Sequence, residues 1–160
     1  DFCLSRGLGD VYKRQIYEYA QDYMIRSGNP TQWGHFYPSA DLIRSDLQKK
    51  VCKVIYDETG IHGVFALFDG AEPTYAHIEE GEWLNDEPYV TIHRLAGDGR
   101  VHGLSNAPPS IASFFPNVRV DTHANNTTMQ RLIEKNGFKK CGIIHVRDGS
   151  PRIAYQWTAR

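Results

Sequence analysis

With 160 residues, 41% of them hydrophobic and 23% charged, the chain has the length and composition of one globular domain with its own core, which excludes a disordered or fibrous class. A formal net charge of −1 gives no electrostatic reason to expect nucleic acid or an anionic membrane as partner, and no apolar run approaches the ~20 residues of a spanning helix. No signal-peptide pattern is visible, and Cys3, Cys52 and Cys141 are odd in number without C-x-x-C spacing, so a cytoplasmic protein with reduced, packed thiols and no metal centre is expected.

Residues 1–15, DFCLSRGLGDVYKRQ, show no clean period and resemble translated sequencing-adapter read-through; they are read as non-native, and the domain as residues 16–160. From Ile16 the spacing predicts a helix with Ile16, Tyr19, Ala20, Tyr23 and Met24 on one face and Gly28 as its stop. In a second helix, Ser39 is the N-cap, Asp41 sits in the first turn, Leu42, Ile43 and Leu47 form the apolar stripe, and Lys49 and Lys50 complement the C-terminal dipole. Both helices are expected to flank a sheet.

Strand signals follow at 51–56, 63–68 and 89–96, an antiparallel meander by expectation, with 57–60 as a turn. Residues 75–87, acidic and aromatic with Glu79, Glu80, Glu82, Trp83 and Asp86, are read as a mostly solvated loop. A short helix at 107–115, a strand at 118–122, a helix at 127–136 and strands at 141–146 and 153–157 complete the pattern.

The helix after the fourth strand has both ends written in its sequence. Asn126 can cap it, Met129, Leu132 and Ile133 face a core, Gly137 takes the left-handed position past its end, and Phe138 packs back. A well-made amphipathic helix explains the apolar stripe, but not the Asn-rich polar turn that follows the strand directly. The segment Asn126-Thr-Thr-Met129-Gln-Arg-Leu132-Ile133-Glu134-Lys135-Asn136-Gly137-Phe138 resembles the corresponding segment of the GNAT acetyltransferase family. With the region from Tyr89 onward the likeness covers nearly half the chain.

That resemblance implies a GNAT-like α+β fold of three layers, with a central, mostly antiparallel mixed sheet and helices on both faces. It implies acetyl-CoA as co-substrate, with Asn126 bonding its pantetheine arm. Where the family often has a Tyr that protonates the leaving thiolate, this chain has Ile133. Arg100-Val101-His102-Gly103-Leu104-Ser105 resembles the family's pyrophosphate loop, in which consecutive N–H groups bind the diphosphate and Gly103 permits close approach. Ser105 in the last small position, a short link from Leu95 to Arg100, and Pro108-Pro109 depart from the family pattern.

By the same resemblance, strands 89–96 and 118–122 part in a V that holds the acyl thioester. Backbone groups near Leu95 and Ala96 would bind the pantetheine and polarise the carbonyl. Direct attack by an amine needs positioning, a base for the ammonium proton and a proton donor for the thiolate, but no nucleophile motif. His123 and His93 are candidate bases, with a structural or surface role as the ordinary reading of each alone. Asp121 and His123 have a spacing compatible with a metal, but no third ligand supports one. Glu79, Glu82 and Glu87 are alternative bases if not simply solvated, and Tyr155 could donate to the thiolate or merely pack the core.

Trp33, His35, Tyr37, Trp83 and Tyr89 form an aromatic set that either packs the core or lines an acceptor pocket, where nearby acids would favour a cation. The expected activity is transfer of an acetyl group from acetyl-CoA to a primary amine of a small molecule or peptide, by a monomer or homodimer. The alternatives are a non-catalytic acyl-CoA-binding module or an interaction domain on the same fold.

Overall fold

In a computed structural model, residues 8–99 and 114–159 are described. Six strands, β1 (Cys52–Asp57), β2 (Gly60–Asp69), β3 (Val90–Gly97), β4 (Asn117–Thr122), β5 (Lys139–His145) and β6 (Pro151–Thr158), form one mixed sheet in the order β1-β2-β3-β4-β6-β5. The helices are α1 (Leu8–Arg26), α2 (Ala40–Gln48) and α3 (Thr127–Lys135). Among the described residues no helix is long and apolar enough to cross a membrane. The chain groups into two compact units, residues up to 66 with 94–99 in the first, and 67–93 with 114–159 in the second.

In the first unit, α1 begins at Leu8, earlier than the periodicity of the sequence suggested, and ends just before Gly28, whose φ of +88° supplies the left-handed stop. Its buried face is Ile16, Tyr17, Ala20, Gln21 and Met24, while Tyr19 and Tyr23 are each 40% exposed. The stripe is rotated from the expected one because a polar residue belongs to it: Gln21 donates Nε2–H to the Tyr37 carbonyl at 2.7 Å. Ile16, Tyr17 and Ala20 pack with Val64 and Ala96, joined by Trp33, Ile43, Cys52 and Ile61. Ser39 caps α2 as expected, accepting from the Leu42 N–H at 3.2 Å. β1 and β2 pair antiparallel from Cys52↔Ala66 to Asp57↔Gly60.

In the second unit, β4 and β5 both pair antiparallel with β6, so β6 lies between them. Asn126 caps α3 by accepting from the Met129 N–H at 3.1 Å, and Gly137, φ +82°, ends the helix so that Phe138 returns to a buried position. Residues 75–87 are mostly exposed, as expected, Glu79, Glu80, Glu82, Asp86 and Glu87 among them, but a few residues of the segment joining β2 to β3 pin it to the sheet. A 3-10 turn at Pro73–Tyr75 sinks Tyr75 to 1% exposure, and Glu79 pairs with Ile143 of β5 through two 2.8 Å bonds.

Asn85 fixes the rest of the segment, its Oδ1 accepting from Asn117 Nδ2 at 2.8 Å and Gln156 Nε2 at 3.1 Å. The Arg119 guanidinium lies 4.0 Å from the Trp83 ring centroid and 3.9 Å from that of Tyr89, and donates to the Asn85 carbonyl at 2.8 Å. Asn85, Trp83 and Tyr89 therefore answer buried polar groups on the sheet, while the acidic residues between them stay exposed.

Candidate active site

β3 and β4 are parallel neighbours for only three pairs, Val90↔Val118, Thr91↔Arg119 and Ile92↔Val120. Past the last pair β4 runs on to Thr122 and β3 to Gly97, with Arg94 in the left-handed region at φ +55°. A non-glycine residue there costs on the order of 1 kcal/mol or more and needs outside support. Arg94 has it: Nε and Nη2 reach Asp46 Oδ2 at 2.9 and 2.7 Å, with side-chain exposures of 9% and 4%. The ladder thus ends at Ile92↔Val120.

Strand alternation sorts the second unit's side chains onto two faces. Tyr89, Thr91 and His93 share a face with Arg119 and Asp121, the face that the β2–β3 segment covers. His93 Nε2 lies 3.1 Å from Glu72 Oε2, and its ring packs edge-on against Phe68 with centroids 5.6 Å apart. Glu72 also caps the 3-10 turn, accepting from the Thr74 N–H and hydroxyl at 3.2 and 2.9 Å. The His93 bond, opposed by partial burial and aided by Thr74, pulls the Glu72 carboxyl down to about 2, so it is a carboxylate at neutral pH. Tyr75 donates its hydroxyl to Asp121 Oδ1 at 2.6 Å, and burial together with that carboxylate pushes the phenol well above its usual value.

The opposite face carries Val90, Ile92, Val118, Val120 and Tyr155, the last paired with Val120. Tyr155 is 1% exposed and donates its hydroxyl to Glu134 of α3 at 3.0 Å; burial first, then Glu134, pushes it up to about 12. Ile133, in the place of the family's Tyr, is 1% exposed and contributes to the core. His123 follows β4, its Nδ1 accepting from the Asn125 N–H at 3.1 Å. Burial, with Arg152 nearby, holds it below the usual histidine value. Asp121 and His123 do not act as a pair, since one answers Tyr75 and the other the Asn125 backbone.

Of the expected aromatic set, Trp33 and Tyr37 lie in the first unit, with ring centroids 6.0 Å apart. Trp83 and Tyr89 are packing residues of the second: each sets one face on Arg119 and packs against Tyr75. Leu95 and Ala96 are buried at 6% and 2%. The expected diphosphate loop, Arg100, Val101, His102, Gly103, Leu104 and Ser105, and the helix at 107–115 lie outside the described residues. Among the described residues no three His, Cys, Asp or Glu side chains converge as a metal set. Glu72, Tyr75 and Arg119 escaped the sequence reading; the one local signal was the Glu72-Pro73-Thr74 capping pattern.

No protein-family model and no curated protein sequence matches the chain. Solved structures do. An acetyltransferase of the GNAT family from Streptococcus agalactiae is 28% identical, covers 100% of this chain and 94% of its own, and superposes with a TM-score of 0.86. A GNAT-family acetyltransferase from Listeria monocytogenes is 17% identical, with 99% and 93% coverage and a TM-score of 0.64. An acetyltransferase from Bacillus subtilis in complex with CoA is 15% identical, covers 78% and 86%, and has a TM-score of 0.52. The mixed six-stranded sheet with three helices is the fold of these proteins, as the resemblance implied.

Proposed function

We propose that this chain, which has the fold of the GNAT acetyltransferases, transfers an acetyl group from acetyl-CoA to a primary amine of a small molecule or peptide, residues 16–160 acting as one catalytic domain. The observation that carries the reading is the arrested β3–β4 ladder with the His93–Glu72 pair beside its last rung. The residues fit an acyl-CoA arm. Among the described residues the buried Thr122 hydroxyl, beyond Ile92↔Val120, has no hydrogen-bond partner, and the β4–α3 turn ends on the Asn126 cap. The diphosphate falls to Arg100–Ser105, the arm to Asn126 and the backbone at Leu95 and Ala96. Bound acetyl-CoA supplies the acyl group as a thioester.

His93 is the first candidate for the base. Glu72, a carboxylate, accepts Nε2–H, which leaves Nδ1 as the nitrogen to take the proton of an attacking ammonium. His123 is the second; the Asn125 N–H at its Nδ1 leaves the proton on Nε2. Tyr155 is a weaker candidate acid, because its hydroxyl is held by Glu134 and its pKa is pushed up to about 12. A thiol of pKa about 8.5 leaves tolerably as thiolate near neutral pH, so the step does not hang on a strong acid. For acceptor contacts Trp33 and Tyr37 remain candidates, whereas Trp83 and Tyr89 act through Arg119.

Ile133 favours a second reading, a non-catalytic acyl-CoA-binding module, since it brings no hydroxyl to the family's acid position. Calorimetry with acetyl-CoA followed by a thiol-release assay over a panel of amines separates the two. Saturable binding with amine-dependent release of CoA supports the transferase, binding without release the module, and no binding removes both.

A further inference from the structure

We propose that Tyr75 and Asp121 are positioning residues for His93, an assignment that rests on His93 being the base in the acyltransferase reading above. The 3-10 turn Pro73–Tyr75 brings two groups to the His93 ring. One is its N-cap Glu72, whose Oε2 lies 3.1 Å from Nε2, and the other is its last residue, Tyr75, whose ring centroid lies 6.2 Å from that of the imidazole. Phe68 of β2 packs edge-on against the same imidazole at 5.6 Å. The turn is tied to β4, because the Tyr75 hydroxyl donates to Asp121 Oδ1 at 2.6 Å, and all of these residues belong to the second unit. A shift of the Tyr75 side chain is therefore felt by both the ring packed on His93 and the carboxylate that orients it.

Packing alone does not need the Tyr75 hydroxyl. The ring is buried between Trp83 and Tyr89, at centroid distances of 5.2 and 6.4 Å, and phenylalanine would fill the same space with no polar group to desolvate. What the hydroxyl adds is direction, since a short bond to a carboxylate is strong and fixes where the ring stands. The backbone of the turn has its own ties: the Glu72 N–H donates to the Tyr89 hydroxyl and Trp83 Nε1–H to the Tyr75 carbonyl, each at 3.0 Å. Loss of the hydroxyl should therefore loosen the side chain while the turn stays folded. With its proton committed to Asp121, Tyr75 acts through His93 rather than on a substrate. Tyr155 makes the same kind of bond, to Glu134 at 3.0 Å, on the opposite face of the sheet, and serves as a control for the loss of a buried phenol hydroxyl.

The test measures amine-dependent release of CoA from acetyl-CoA, with an amine that the wild type accepts, at a temperature where melting curves show every variant folded. It adds 15N NMR of the His93 ring at alkaline pH, where the two nitrogens of a neutral imidazole distinguish the Nε2–H from the Nδ1–H tautomer. Tyr75→Phe and Asp121→Ala are each expected to lower kcat about tenfold, the size of one hydrogen bond, with the KM for acetyl-CoA unchanged. The double variant should lose no more than either single one, and Asp121→Asn, which keeps an acceptor oxygen, should lose less than Asp121→Ala. The Nε2–H tautomer of the wild type should give way to a mixture in Tyr75→Phe and persist in Tyr155→Phe. A wild-type His93 spectrum in Tyr75→Phe, an equal change in Tyr155→Phe, or losses of kcat that add in the double variant overturn the assignment and leave the transferase reading intact. Failure of the wild type to release CoA with any amine overturns the transferase reading, while the spectra still decide whether Tyr75 and Asp121 orient His93.

Discussion

Asp46 of α2 holds Arg94 of β3 through two contacts to one oxygen, 2.9 and 2.7 Å long, one residue after His93 and two after the last rung shared with β4. Tyr37 accepts a further bond from Arg94 Nη1 at 3.3 Å. The pair keeps a non-glycine residue at φ +55°, so an ion pair within the first unit fixes the backbone turn that ends the ladder.

Asp46→Asn leaves the Arg94 guanidinium buried without its counter-charge. Breaking a buried pair from one side costs about 3–5 kcal/mol, so the variant should show a loss of that order in urea unfolding. A loss under about 1 kcal/mol would mean that Arg94 keeps its turn without Asp46 and that the strand's departure has another cause.

His93→Gln should lower turnover about 100-fold or more, the range of a lost general base, with the KM for acetyl-CoA nearly unchanged because the side chain serves the amine rather than the thioester. Glu72→Gln should lower turnover in the same direction, since it removes the carboxylate that orients the imidazole. If His123→Ala loses turnover and His93→Gln keeps it, the base is His123 and the His93–Glu72 pair is structural.

What was legible in the sequence is what local chemistry decides. Ser39 and Asn126 cap their helices, and Gly28 and Gly137 stop them, because each answers backbone groups a few residues away. The face of α1 was misread because Gln21 is buried for the sake of a carbonyl 16 residues on. Glu72 and Arg119 were invisible for the same reason. Their partners lie 21 and 34 residues away, and only the folding of the β2–β3 segment over β3 and β4 brings them into reach. The insertion of β6 between β4 and β5 is likewise a matter of tertiary pairing that strand signals do not encode. His93 and His123 could be chosen from sequence as titratable groups near the expected V, but their separate partners could not.

His62 lies between two carboxylates, Nε2 at 2.9 Å from Asp57 Oδ1 and Nδ1 at 3.0 Å from Asp98 Oδ2, tying the β1–β2 turn to the residue that follows β3. The Asp98 bond first, then Asp57, raises its pKa above the ordinary 6.5. A group whose folded pKa is raised contributes stability that is fully present below the unfolded value and is lost as pH rises through the folded one. The melting-temperature gap between wild type and His62→Gln should therefore be widest below the ordinary histidine value and shrink as pH rises above it. A gap that does not change with pH would show that His62 holds its neighbours as a neutral spacer.

Arg119 is the residue on which the β2–β3 segment closes, stacked between Trp83 and Tyr89 and 4% exposed. A lysine has the same charge but no planar group to lie between two rings, and it cannot keep a donor on the Asn85 carbonyl while doing so. Arg119→Lys should lose about 2–4 kcal/mol, a buried cation deprived of most of its compensation, and should also change the intrinsic fluorescence as Trp83 loses its cover. Because Glu72 is carried by the same segment, His93 should lose its partner too, so turnover falls further than stability at assay temperature requires. Should Arg119→Lys keep wild-type turnover and stability, the sandwich would be a contact of convenience, and the segment would owe its place to Asn85, Gln156 and the Glu79–Ile143 bridge alone.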